Sequence, residues 1–191
     1  MSEPKVVCVV TGMIEENCYV VFLPEREDCL VIDPGDEPGK ILRAIGGRKI
    51  AAILLTHGHF DHIGAAGALM KPETPLLIHE ADRGMPTDPI LNVSWMTGSA
   101  GTYPAPNGTF RDGDILRYAG LELKVLHTPG HTPGSSCFEL GDLLFTGDTV
   151  MSGGAGCGRT DLPGGNDGEM YASLKKLRPM MTDHTIYGGH G

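Results

Sequence analysis

The stretch Thr56-His57-Gly58-His59-Phe60-Asp61-His62 decides how the rest of the chain is interpreted, because it places three imidazoles and a carboxylate close together. It directly follows the apolar run Ile50-Ala51-Ala52-Ile53-Leu54-Leu55, which predicts a buried strand. A strand that delivers nitrogen and oxygen donors at its carboxyl end is typical of a metal site. Since side chains two residues apart in an extended segment face the same side, His57 and His59 can bind one metal. The last two donors lead into a predicted helix over residues 63–70 and can serve a neighbouring metal.

Length and composition limit the possible classes of protein. A chain of 191 residues can bury a sizeable core, so we expect residues 1–191 to form a single domain. The net charge of −9 argues against a nucleic-acid partner. No apolar run approaches the roughly 20 residues of a membrane span, and the acidic start does not resemble a secretory signal. The sequence therefore predicts neither a nucleic-acid nor a membrane partner, and it indicates no oligomeric state.

The cysteines indicate the compartment in which the protein works. There are five, an odd number, and none of them forms a Cys-x-x-Cys pair. Cys8 and Cys29 lie in apolar runs, where we expect buried, reduced thiols. Cys157 is interpreted as structural and not as a nucleophile. This pattern predicts a location in the reducing cytoplasm.

Short apolar runs bounded by turn residues predict strands along most of the chain. They lie at residues 5–10, 18–23, 29–33, 50–55, 75–78, 115–118, 121–126, 136–140, 142–145 and 185–187. One helix is predicted to begin at Asp36, with Pro38 in its first turn, and to end at Gly46-Gly47. Another is predicted after Asn166, because Glu169 three residues later completes the pattern of a helix cap.

Residues 80–110 have no clean periodicity and predict a long excursion that is partly helical near residues 80–84. Loops of this length in a domain usually serve a site or are mobile. We interpret Trp95 and Tyr103 as anchors of this excursion, with a place in a pocket wall as the alternative.

Metal-ligand side chains recur at the ends of the predicted strands. These side chains are Asp33, His57, His131, Asp148 and His190. Helices fall after groups of strands, which predicts a two-sheet core with helices outside, an αββα sandwich of the α/β class. The donors are then expected along one edge of the sandwich. For Asp33 two interpretations stay open: a carboxylate that supports a ligand, or the first residue of an Asp-Pro-Gly turn.

Four motifs, taken in this order, resemble those of the metallo-β-lactamase superfamily. They are His57-Gly58-His59-Phe60-Asp61-His62, Thr128-Pro129-Gly130-His131-Thr132-Pro133-Gly134, Phe145-Thr146-Gly147-Asp148 and Gly188-Gly189-His190-Gly191. The resemblance covers nearly the whole chain. Within the superfamily, Gly156-Cys157-Gly158-Arg159-Thr160-Asp161-Leu162-Pro163-Gly164-Gly165 is similar to a loop of the hydroxyacylglutathione hydrolases, the type II glyoxalases.

The resemblance implies a pair of divalent metal ions. The ligands of the first would be His57, His59 and His131, those of the second Asp61, His62 and His190, with Asp148 bridging both. Asp61 and Asp148 are predicted to be catalytic as well as ligating. Imidazole and carboxylate donors without a thiolate suit Zn first, with Fe or Mn as alternatives.

The resemblance also implies a reaction: hydrolysis of a thioester such as S-lactoylglutathione, or a related hydroxyacyl thioester, by a hydroxide between the metals. A thiolate with a pKa of about 8.5 can leave without a strong general acid. Arg159 would bind a substrate carboxylate, as the basic residue of this loop does in the family, and the alternative is a surface arginine.

Full-size type II glyoxalases carry a helical C-terminal domain that contributes basic residues to glutathione binding. Here only Gly191 follows His190. We therefore expect those glutathione contacts to be missing and His190 to be held less firmly than the other ligands.

Other functions share these motifs. The rivals are an iron-dependent persulfide dioxygenase, which uses one iron held by two histidines and an aspartate, a lactonase or other small-ester hydrolase, and a non-catalytic metal-binding protein. Of the remaining histidines, His79 and His184 are expected to be exposed. His127 either supports a ligand or is a plain strand-end residue.

Overall fold

Eleven strands form two mixed sheets in the computed structural model, which describes residues 2–98, 100–154 and 156–191. The first sheet consists of β1 (Lys5–Thr11), β2 (Glu16–Phe22), β3 (Asp28–Ile32), β4 (Lys49–Leu54), β5 (Leu76–His79) and β6 (Gly108–Phe110). They lie side by side in chain order. The pairs β1–β2 and β2–β3 are antiparallel, and the remaining pairs are parallel. The parallel strands β3 and β4 therefore bring their carboxyl ends to the same edge.

The second sheet has the order β11-β10-β9-β8-β7. Its strands are β7 (Ile115–Tyr118), β8 (Leu121–His127), β9 (Ser136–Leu140), β10 (Leu143–Gly147) and β11 (Thr185–Gly188). Only β10 and β11 are parallel to each other. As in the first sheet, a parallel pair places two strand ends together.

Helices cover the outer faces of both sheets. They are α1 (Pro38–Ile45), α2 (Phe60–Ile63), α3 (Ala66–Leu69) and α4 (Asp167–Leu177). Ile41 and Ile45 of α1 pack in the outer core of the first sheet, and Leu177 of α4 packs in that of the second. A third core between the sheets contains Phe138 and Phe145. The predicted αββα sandwich is confirmed.

The predicted helix over residues 63–70 is wrong, because the chain forms two short helices there. The backbone N–H of Ala65 donates to Pro34 O at 3.0 Å instead of to a carbonyl one turn earlier. Gly64 also lies so close to Gly35 O that an added Cβ would come within 2.2 Å of it. Packing against the turn after β3 thus interrupts the helical hydrogen-bond ladder.

The first long helix begins one residue later than predicted. Its N-cap is Glu37, in a left-handed conformation with φ 48°, and not Asp36. Asp36 instead accepts the Glu37 N–H at 2.6 Å. Pro38 in the first turn and the end at Gly46 are confirmed, as is the cap of α4, in which Asn166 accepts the Glu169 N–H.

Three further details correct the sequence interpretation. Strand β6 lies inside the excursion and was not predicted, and near residues 80–84 the chain forms only the 3-10 turn Glu80–Asp82. Cys8 is exposed, not buried, whereas Cys29 is buried as expected.

Within the described residues no helix is long and apolar enough to cross a membrane. The single domain over residues 1–191 stays a prediction.

Candidate metal centre

The carboxyl ends of several strands deliver the predicted donors to one edge of the sandwich. The segment that begins at His57 follows β4, Asp148 directly follows β10, and His190 follows β11 by two residues. His131 lies in the tight loop between β8 and β9. The structure brings all seven predicted ligands together here, and we describe them as two groups.

The first group consists of His57, His59 and His131, whose ligand atoms all lie within 4.8 Å of one another. The ring centroid of His57 lies 4.7 Å from that of His59 and 4.7 Å from that of His131. The third side of the triangle, from His59 to His131, measures 4.6 Å. Three imidazoles at these separations can share one cation.

The second group consists of Asp61, His62 and His190, also within 4.8 Å. Asp61 Oδ2 lies 3.3 Å from His62 Nε2 and 3.3 Å from His190 Nε2. This arrangement of one carboxylate and two imidazoles suits a second cation.

Asp148 lies between the groups. Its Oδ1 is 3.4 Å from His62 Nε2, and its Oδ2 is 3.4 Å from His131 Nε2. Each group therefore faces a different oxygen of the same carboxylate, which is the arrangement expected of a bridging ligand.

Buried polar atoms without a hydrogen-bond partner mark the place where cations fit. They are Nε2 of His57, His59, His62 and His131, together with Oδ1 of Asp148. Leaving such atoms unsatisfied costs free energy, so native proteins nearly always give them a partner. Among the described residues Glu16 Oε1 and Arg48 Nε also lack a partner, but these five atoms belong to the two groups and to Asp148, and their chemistry matches divalent cations.

Comparison with known proteins decides the family. Residues 12–190 match the sequence model described as the Metallo-beta-lactamase superfamily. The chain belongs to this superfamily. It thereby belongs to a superfamily of metallo-hydrolases with a fold that binds divalent metals.

Two relatives in sequence carry different functional names. The probable metallo-hydrolase YqgX of Bacillus subtilis is 37% identical over 187 residues, which are 94% of this chain and 87% of that protein. Hydroxyacylglutathione hydrolase of Aeromonas hydrophila is 36% identical over 184 residues, 95% of this chain but only 64% of that protein.

Two solved structures are similar as well. The crystal structure of BLEG-1 B3 metallo-beta-lactamase has a TM-score of 0.90 and 30% identity, with 98% of this chain and 92% of that chain covered. The crystal structure of TTHA1623 in a di-iron-bound form has a TM-score of 0.84 and 36% identity, with coverage of 97% and 92%.

The electrostatics of this superfamily member prepare the donors for a cation. Burial and the neighbouring imidazoles hold the pKa of His57 well below its usual value and lower the pKa of His59 to about 3. Both rings are therefore neutral at pH 7 and offer a lone pair. Burial opposes ionisation of Asp61 and Asp148, yet His62 beside them holds the pKa of each carboxyl below its usual value.

His62 and His190 behave in the opposite way. Burial disfavours their charged forms, but the surrounding carboxylates, Asp61 and Asp148 among them, raise the pKa of both rings. The carboxylates therefore favour the protonated form of both rings. A metal that enters the second group competes with these protons, so its binding is expected to strengthen as pH rises.

A hydrogen bond on the far nitrogen orients each of four imidazoles. Nδ1–H of His131 donates to Arg159 O at 2.7 Å, and that of His190 donates to Ile14 O at 3.1 Å. Nδ1–H of His62 donates to Asp33 Oδ2 at 3.0 Å. The fourth is His57, whose Nδ1 lies 3.1 Å from Thr56 Oγ1. These contacts leave Nε2 as the free ligand atom of each ring.

Asp33 supports both groups of donors, which confirms its interpretation as a carboxylate that supports a ligand. It directly follows β3, before Pro34, with φ 49°, a left-handed conformation that aspartate tolerates. Thr56 donates its N–H to Asp33 Oδ1 at 2.7 Å and its hydroxyl to Oδ2 at 2.6 Å. Asp33 Oδ2 therefore accepts a hydrogen bond directly from His62. It also accepts one from the Thr56 hydroxyl, which in turn contacts His57.

We expect Asp33→Asn to weaken binding at both groups, because one amide cannot accept all of these hydrogen bonds. The expected loss in metal affinity is about 10- to 100-fold, measured by competition with a chromophoric chelator. Thr56→Val is the matched variant: it breaks only the relay to His57 and should weaken the first group alone. Unchanged affinities in Asp33→Asn would rule out the supporting role.

Two buried carboxyl groups near the site were missed in the sequence. Glu16 is 1% exposed, accepts the Thr11 hydroxyl at 2.8 Å, and places Oε1 4.0 Å from His62 Nδ1. Burial raises the pKa of its carboxyl well above the usual value. Glu16 is distant from His62 in sequence, and only the folded chain brings the two side chains together.

The other missed carboxyl group is Asp82, which holds the loop that carries His131. It is fully buried and accepts the Thr132 hydroxyl and the Gly134 N–H, each at 2.6 Å. Two short, charge-assisted hydrogen bonds fix this turn relative to the excursion after β5. No local pattern distinguishes Asp82 from a helix-capping residue.

Hydrogen bonds tie down the segment that carries His190. Tyr19 donates its hydroxyl to Gly188 O at 2.6 Å, and the Asn17 side chain donates to the same oxygen at 3.0 Å. The Asn17 N–H donates to Gly189 O at 2.8 Å, and the Ser152 N–H donates to His190 O at 3.0 Å. The last ligand is therefore tied to β2 and to the loop after β10.

The remaining histidines lie apart from the donors. His79 is buried, not exposed, and stacks on His127 with ring centroids 4.0 Å apart. His127 Nε2 lies 2.8 Å from Pro133 O, so this strand-end residue supports the His131 loop and contacts no ligand ring. His184 was also expected to be exposed, but it is mostly buried and its Nδ1 lies 3.1 Å from Met180 O.

The donors open into a cavity of about 830 Å³. Tyr103 lies in its wall, which confirms the alternative interpretation, whereas Trp95 is 53% exposed and outside the wall. Arg159 also lines the cavity, exposed and paired with Asp161 at 2.6 Å. Gly158 beside it approaches Asp148 so closely that an added Cβ would lie 2.6 Å from Asp148 O. The glycine allows this loop to cross the site.

Proposed function

We propose that the protein is a dinuclear metal-dependent hydrolase that cleaves a thioester, such as S-lactoylglutathione or a related hydroxyacyl thioester. The observation that carries the proposal is the place of Asp148, which offers one oxygen to each group of donors. His57, His59 and His131 would hold one divalent cation. Asp61, His62 and His190 would hold the other.

The chain would contribute to the reaction through the cations that it binds and through two of its carboxylates. Bound divalent cations supply the Lewis acidity that polarises a carbonyl and activates water near pH 7. The Asp61 and Asp148 carboxylates hold negative charge at the floor of the cavity and can orient the attacking water by accepting its hydrogen bond. The thiolate has a pKa of about 8.5 and needs no strong acid to leave.

The thioester class is supported by the relative and by the loop at the cavity wall. A hydroxyacylglutathione hydrolase is 36% identical over 95% of this chain. The main-chain oxygen of Arg159 supports His131, while its side chain lines the cavity. A guanidinium there suits the carboxylate of an anionic thiol carrier.

The function is tested by metal analysis combined with turnover. Protein reconstituted with Zn, Fe or Mn is assayed for release of glutathione from S-lactoylglutathione with a thiol-trapping dye. We expect about two metals per chain, loss of turnover on chelation, and recovery on metal addition. Full metal loading without turnover of any thioester would contradict the proposal.

The same protein samples separate the rivals. Oxygen uptake with glutathione persulfide and one iron per chain would indicate a dioxygenase. Hydrolysis of lactones but not thioesters would indicate a lactonase. A chromogenic β-lactam belongs in the panel, because a B3 metallo-beta-lactamase has a similar fold with a TM-score of 0.90.

We expect Arg159→Ala to weaken the binding of anionic substrates more than the binding of neutral ones. Loss of a charged hydrogen bond should raise KM for S-lactoylglutathione about tenfold, with little change for the neutral lactoyl thioester of N-acetylcysteamine. Arg117→Ala is the matched control, because Arg117 is likewise exposed and pairs with Glu122, far along the sheet. An equal rise of KM for both substrates would argue against carboxylate binding.

A further inference from the structure

Several apolar side chains line the cavity, and we call five of them its apolar side. They are Met13, Ile14, Phe60, Val93 and Met96. Arg159 lies among the lining residues at the His131 loop, since its main-chain oxygen accepts from the His131 ring at 2.7 Å. The cavity therefore offers a substrate apolar contacts together with an arginine, whose guanidinium is paired with Asp161 at 2.6 Å.

The apolar side is continuous with the second group of donors. Ile14 O accepts the Nδ1–H of His190 at 3.1 Å. Phe60 stands in the chain between His59 and Asp61, and its N–H donates to Asn92 O at 2.9 Å, which brings the following Val93 to the wall. A group attached to a carbonyl held over the donors can thus extend directly onto this wall.

Three of the apolar side chains that line the cavity are open to water, and we call this exposed part of the cavity its mouth. Met13 is 93% exposed, Ile14 52% and Met96 51%. Single exposed apolar residues are ordinary, but several around one cavity mark a binding surface. Methionine adapts its shape to aliphatic ligands, and a cavity of about 830 Å³ leaves room for more than a lactoyl group.

We propose that this wall binds an aliphatic acyl chain, so that the preferred substrate is a medium-chain acyl thioester on an anionic thiol carrier. The inference rests on the proposed function and defines its substrate class. Water adds to the carbonyl carbon, the carbon–sulfur bond breaks, and the thiolate leaves and takes up the proton. The products are the free carboxylic acid and the thiol.

The test varies the acyl chain on one thiol. Acetyl-, butanoyl-, hexanoyl- and octanoylglutathione, with S-lactoylglutathione as reference, are assayed with the metal-loaded protein. Each methylene that is buried on the wall should raise kcat/KM by about three- to fourfold. A series in which kcat/KM stays level or falls with chain length overturns the inference.

Variants at the mouth provide the matched comparison. Met13→Gln combined with Met96→Gln should lower the octanoyl-to-acetyl ratio of kcat/KM about tenfold, because two apolar contacts are lost. Met181→Gln is the control, since Met181 is 44% exposed and is not among the residues that line this cavity. If the octanoyl-to-acetyl ratio falls equally in the control, or falls in neither variant, the apolar side is not the site that binds the acyl chain and the inference is overturned.

The two proposals fail differently. Hydrolysis of every thioester at similar rates overturns the acyl-chain inference and leaves the proposed function intact. A fully metal-loaded protein that cleaves no thioester overturns the proposed function and this inference with it.

Discussion

His57→Ala is expected to lower thioester hydrolysis on the order of 10³-fold or more, because a water without a bound cation keeps a pKa of about 15.7 instead of about 7. His57 has the largest expected effect because it belongs to two clusters of potential ligands, one with His59 and His131 and one with His62 and Asp148. Its ring centroid lies 4.1 Å from that of His62. Turnover and metal content of the purified variant are measured together, and bound metal should fall.

The control for this variant is His184→Ala, which removes an imidazole outside the site. It should keep both metal content and turnover. If His57→Ala retains its metals and hydrolyses thioesters at the rate of the unmodified protein, the role of His57 is refuted.

Asp148→Asn is expected to have the second-largest effect. An amide keeps the shape of the side chain but offers a single neutral oxygen, so it cannot attract both groups of donors at once. Bound metal should fall from about two to about one per chain, and kcat should fall on the order of 10²- to 10³-fold. Metal analysis after gel filtration and steady-state kinetics measure the two effects.

Asp142→Asn is the matched control, since Asp142 is exposed in the turn before β10. It should change neither value. Retention of two metals per chain in Asp148→Asn, with normal kcat, would show that the carboxylate does not bridge.

The sequence predicted the donors better than it predicted their supports. The three imidazoles and the one carboxylate of the His57–His62 stretch are close in the chain, so the local sequence predicts that they bind metal together. Glu16 approaches His62 only because β2 and β4 belong to one sheet, and Asp82, in the turn after β5 of that sheet, contacts the loop of His131, which belongs to the other sheet. The helix predicted over residues 63–70 failed for a related reason, since the Ala65 N–H bonds to Pro34 O across the turn after β3.

By itself the sequence determined the αββα class and the alternation of strands and helices, because these depend on periodicity and residue type, and it predicted the donor side chains through motifs that resemble those of a known superfamily. Only the tertiary structure showed how close the donors lie to one another, that each Asp148 oxygen faces a different group, and how the segment around His190 is tied down. It also decided the lining of the cavity, because Met13 and Met96 are 83 positions apart in sequence and both line it. Proximity across distant segments arises from sheet packing, and no local pattern encodes it.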